Sequence, residues 1–181
     1  MTKTKASLSL TCFLALFLPL ESYGQLLRPV TLSGDQAPGA PSGAVYSQFF
    51  SPVINNSGDT AFLGRLTGVG VEGLNDSGLW SEQAGTLTKI LMEGDQAPGM
   101  ADGINFGGVY IVRLLMNSNG DVAFRATLTG NGVDETNEDS IWTNASGTLE
   151  LVAREGDNPP GTPANYQFYM PARRSLGFDD Q

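Results

Sequence analysis

From residue 59 the chain reads DTAFLGRLT, and Thr60, Phe62, Gly64 and Leu66 share one face of an alternating pattern. Val122, Phe124, Ala126 and Leu128 fall the same way in DVAFRATLT, from residue 121. Alternation with this composition predicts a strand in each place. The apolar runs FFSPVI (49–54) and VYIVRLLM (109–116) precede them, joined through NNSGD and NSNGD. Asn and Gly accept positive φ, so each joint predicts a hairpin. GLWSEQ (78–83) and SIWTN (140–144) predict third strands. After an AG or SG turn, TLTKILM (86–92) and TLELVAR (148–154) predict fourth strands. Ahead of all of these, LLRPVTL (26–32) predicts a partial strand.

The pattern recurs at a fixed interval, the mark of a repeat architecture. NNSGDTAF at 55–62 returns as NSNGDVAF at 117–124, a shift of 62. LTGVGV at 66–71 returns as LTGNGV at 128–133, also by 62. Between the hairpin blocks stands a loop written three times: SGDQAPG (33–39), EGDQAPG (93–99) and EGDNPPG (155–161). The expected fold is all-β, a tandem array of four-stranded antiparallel meanders about 62 residues long, resembling the blades of a β-propeller. An elongated β-repeat array is the alternative. The predicted divisions are a signal peptide at 1–24, an N-terminal strand and loop at 25–47, repeat 1 at 48–108, repeat 2 at 109–170 and the start of a truncated repeat 3 at 171–181. Further repeats are expected to pack on the C-terminal end.

The chain opens with Lys3 and Lys5 and an apolar run, ASLSLTCFLALFLPL (6–20), before ESYGQ. A membrane span needs roughly 20 apolar residues, so the run predicts a secretory signal helix cleaved after Gly24. Cys12, the single cysteine, lies within it. Cleavage removes two lysines and Glu21, and the net charge goes from 10 − 19 = −9 to 8 − 18 = −10. With no Cys or His left, disulfides, thiol and imidazole catalysis and His- or Cys-based zinc sites are excluded. The acidity disfavours nucleic acid and anionic lipid as partners.

These residues resemble the tandem N-x-x-G-x-x-A-F repeats of exported bacterial surface proteins of the choice-of-anchor type. The match lies at Asn55, Gly58, Ala61 and Phe62, and again at Asn117, Gly120, Ala123 and Phe124. The LTG, IW and EGD-x-x-PG blocks accompany it. The resemblance implies an exported, surface-located repeat protein. It brings no catalytic residue with it.

The loops hold the candidate chemistry. Pro38-Gly39, Pro98-Gly99 and Pro160-Gly161 predict type II turns, proline presetting φ and glycine accepting positive φ. Asp35, Asp95 and Asp157 can cap nearby backbone amides. A calcium role for them is weak, because calcium takes roughly six to eight oxygens and each loop offers one carboxylate. The acidic stretch DETNED (134–139) has only the less charged EGLNDS (72–77) as its counterpart and reads as a solvated loop. Trp80 and Trp142, which could stack on sugars, read as core. Lys89 is the one lysine left after cleavage and is replaced by Leu151 in the next copy, so it is no repeated general base. No catalytic, cofactor-binding or metal residue is assigned. The expected function is a structural or binding role at the cell surface with an unknown extracellular ligand. A propeller-type hydrolase or lyase using rim carboxylates is the alternative.

Overall fold

A computed structural model describes residues 28–108 and 114–170. The signal segment at 1–24, the predicted start of a third repeat at 171–181 and residues 109–113 of the predicted strand VYIVRLLM lie outside the described residues.

The described chain is all-β, in two antiparallel sheets, and no helix occurs among these residues. In the first sheet β1 (Ala44–Ile54), β2 (Thr60–Gly68), β3 (Ser77–Gln83) and β4 (Thr86–Met92) lie in chain order as a meander. The second sheet holds β5 (Asn105–Phe106), β6 (Leu114–Met116), β7 (Val122–Thr129), β8 (Asp139–Thr143) and β9 (Glu150–Arg154). There β5 and β6 both pair with one edge of β7, and β8 and β9 follow. Neither sheet closes into a barrel. The partial strand expected ahead of the first loop is not formed at 28–32. Pro29 has no N–H to give a ladder, and the Leu32 amide is taken by the Asp35 carboxylate at 2.7 Å.

The first hairpin turns at 55–59, where Asn55 accepts the amides of Ser57 and Asp59 through Oδ1. Asn117 accepts those of Asn119 and Asp121 in the same way. This Asx arrangement supplies the bonds a reversing backbone would otherwise lack.

Alternation sends the two faces of the first sheet to different partners. Ala61, Leu63, Leu79 and Leu91 pack against Phe106, Phe124, Leu128 and Trp142 of the second sheet in one continuous core. On the other face, Tyr46, Phe62, Leu66, Trp80 and Met92 form a second cluster with Ala37 from the first loop and Ala44 from the start of β1. Trp80 and Trp142 are both fully buried, each contributing about 4–6 kcal/mol by area. Gly64 gives this second cluster its room: a Cβ there would stand 2.8 Å from Tyr46 Cε1 and 2.9 Å from Trp80 Cζ3.

The second copy of the thrice-written loop joins the sheets. At 93–97 the chain leaves β4 and runs along β5: the Glu93 amide bonds Ser77 O, and the Gly94 amide bonds Phe106 O. Thus the turn that leaves the edge strand of the first sheet bridges, through Gln96 and Asn105, to the edge of the second. Gly34 with Tyr46, and Gly156 with Phe168, make the same bond. The Pro-Gly pairs are type II turns as expected. Ala40, Met100 and Thr162 each donate three residues back, and Gly39, Gly99 and Gly161 have φ of 72°, 74° and 77°.

Candidate functional site

A concave surface lies on the first sheet, beside the aromatic cluster. A cleft of about 350 Å³ is walled by Val30, Phe49, Pro52, Val53, Ile54 and Phe62, with Thr31 and Thr60 as its polar members. It arises because β1 departs from regular pairing. The register with β2 slips between Tyr46 and Gln48 and again between Phe50 and Val53, and Ser51 takes φ of 47°. Such bulges bend a strand and re-aim its side chains. Here they leave Phe49 and Phe50 partly exposed and Ile54 largely so.

The aromatic rings below are in mutual contact. Tyr46 meets Trp80 edge-on at 5.0 Å, and Phe49 meets Phe62 edge-on at 5.3 Å between centroids, separations that favour T-shaped pairs. Trp80 anchors the loop above it through Nε1–H to Pro38 O, at 2.9 Å. The Tyr46 hydroxyl is buried, and no hydrogen-bond partner meets it among the described residues. Burial, and then the charge of Asp35, push its pKa well above the ordinary phenol range, so it stays neutral.

An ion pair lies at the edge of this face. Glu82, opposite Thr60 across the ladder, has a side chain only 2% exposed, and its Oε1 accepts Arg28 Nη2 at 2.6 Å. The arginine side chain is 55% exposed, so the pair spans the boundary between core and solvent. Asn144, 62 residues after Glu82, bonds the Val122 amide instead of an arginine.

The residues weighed from sequence fall into structural places. Asp35 accepts the Leu32 amide, and Asp95 accepts that of Met92 at 2.7 Å. Both carboxylates therefore cap a backbone amide three residues upstream. Lys89 pairs with Asp95 at 3.0 Å. Trp80 and Trp142 present no face to solvent. In the acidic stretch, Asp134 accepts the amide and hydroxyl of Thr136, which lowers its pKa, and Asp139 pairs with Arg125. No group of three or more Asp, Glu, His or Cys side chains gathers for a metal ion among the described residues.

Two polar positions escaped the sequence reading. Gln36 donates to Ala37 O and Pro41 O and accepts the Gly43 amide; Gln96 does the same with Ala97 O, Ala101 O and the Gly103 amide. Each glutamine thus fills the middle of its loop. Their recurrence between the same neighbours was the available signal. Asn55 also donates to Asn117 O at 3.2 Å and Ser118 O at 3.1 Å, and Gln83 donates to Gly120 O at 2.6 Å. These bonds stitch the hairpin ends of the two sheets together.

The site is thus an apolar cleft on an aromatic floor, edged by one buried carboxylate and its arginine. It offers shape and apolar area. No curated protein and no solved structure matches this chain. A family model matches residues 13–168, most of the chain, and on that match the chain belongs to DUF7453, a family of unknown function.

Proposed function

We propose that this is an exported β-repeat protein of the bacterial cell surface with a structural or binding role, its two sheets being successive propeller-like blades. The observation that carries this reading is the common construction of the three loops. Gly34, Gly94 and Gly156 donate to Tyr46, Phe106 and Phe168, at spacings of 60 and 62 residues. The packing of the first sheet's apolar face against the aromatic face of the second is what such a stack would require, and it supports this reading. A module stacked this way contacts only its neighbours, which suits an array that presents loops and grooves. The apolar run at 6–20 and the resemblance to N-x-x-G-x-x-A-F proteins support export.

Two experiments test it. Expression with the native leader in a bacterial host, followed by fractionation and N-terminal sequencing, is expected to give an exported chain beginning at Gln25. An intact Met1 in the cytosol would overturn export. Duplicating residues 93–154 between Arg154 and Glu155 is expected to add one sheet without lowering the melting temperature. Loss of folding would remove the repeat reading. For the weaker calcium role, unchanged melts and no calorimetric heat at millimolar calcium would dispose of it.

A further inference from the structure

Residues 28–32 form no regular element, yet they make one wall of the cleft. Val30 packs on the cluster of Tyr46, Phe62 and Trp80, and Val30 and Thr31 face the cleft beside Phe49 and Phe62. The segment is held at its two ends by different means. At one end Leu32 N–H and Thr31 Oγ1–H donate to the Asp35 carboxylate, which fixes it to the first loop. At the other end Arg28 pairs with Glu82. We infer that residues 28–32 are a strap over the aromatic face of the first sheet, latched by the Arg28–Glu82 pair and hinged at the Asp35 turn.

Three observations favour a latch over a fixed core contact. First, Glu82 is buried but its partner is half in solvent, so water can reach the pair from the arginine side. Second, among the described residues the carboxylate's other contact is slight: Thr60 Oγ1 stands 3.5 Å from Oε2, at the limit for a hydrogen bond. Breaking a buried pair is costly while the carboxylate stays buried. Lifting a strap that lies at this edge rehydrates Glu82, so opening avoids that penalty. Third, the second sheet has no such pair, since Asn144 there bonds within the sheet. Opening would widen an apolar cleft of about 350 Å³ onto the ring of Phe62, while the second sheet and its core stay packed. Because one partner is exposed, added salt weakens the latch.

Hydrogen exchange and hydrophobic-dye binding on the full chain test the strap, using Arg28→Ala, Glu82→Gln and Arg28→Lys. Arg28→Ala and Glu82→Gln are expected to speed exchange several-fold at Leu32 and to raise dye binding several-fold. Amides of β7 and β8 should keep their protection. Arg28→Lys should restore most of the wild-type behaviour at low salt and lose it at high salt. Exchange at Leu32 that is unchanged in both disruptive variants overturns the inference. So does faster exchange spread evenly over both sheets, which would mark the pair as ordinary core support.

Discussion

The sharpest local constraints come from single side chains whose surroundings leave no slack. Gly64→Ala adds a methyl within 3 Å of two rings and is expected to destabilise by about 1–3 kcal/mol, the usual cost of overpacking. Thermal melts followed at Trp80 would measure it. Glu93 gives a test in pH. Burial raises its pKa above the ordinary carboxylate range, against the opposing bond from the Ser77 hydroxyl, so the fold favours the protonated acid. Its contribution to stability is therefore fullest at acid pH and is lost as pH rises through the raised folded value. Glu93→Gln is expected to melt slightly higher than wild type at neutral pH, with the gap closing below about pH 4. A gap that persists in acid would refute the sign. At this scale the sequence was partly legible. The Pro-Gly turns were readable because proline and glycine fix φ whatever surrounds them. The roles of Gln36, Gln96 and Glu82 were not, because a flexible side chain finds its partners only in the folded chain.

The strands were the most legible elements. TLTKILM and LELVAR were expected to end where the second and third loops begin, and β4 and β9 end at Met92 and Arg154, just before Glu93 and Glu155. Alternation gave the faces of β2 and β7 correctly, since period two is set by local geometry. It could not give the bulges of β1, where Ser51 departs from strand conformation and opens the cleft. Nor could it give the bonds from Asn55 to residues 117 and 118, which depend on how two hairpins are stacked. Those bonds explain why an asparagine and not an aspartate begins the turn. Asn55→Asp keeps the acceptor for Ser57 and Asp59 but loses the donor across the sheets, and it sets a second carboxylate beside Asp59. A loss of about 1–3 kcal/mol is expected at neutral pH, smaller in acid, by chemical denaturation.

Over the whole molecule, the two sheets share one core, so neither can lose its packing alone. Heating is expected to give a single transition, coincident by circular dichroism and by the fluorescence of Trp80 and Trp142. Two separated transitions would show the sheets to be independent. The hydrophobic pattern foretold the sheets but not their partnership, because it says which faces are apolar and not which faces meet.

The first edge strands carry a consequence for how such a chain can change length. Val45 and Asn105 are bridged to Gln36 and Gln96, a separation of 105 − 45 = 60. Ile54 and Met116 pair with Thr60 and Val122, a separation of 116 − 54 = 62. In the proposed array, two residues have therefore been gained between these points, and the ladder resumes in phase beyond them. An even step returns each later side chain to its own face, whereas an odd step would turn the apolar set of β6 outward unless a bulge absorbed it. Insertions and deletions between these two pairing points should therefore accumulate in pairs during evolution.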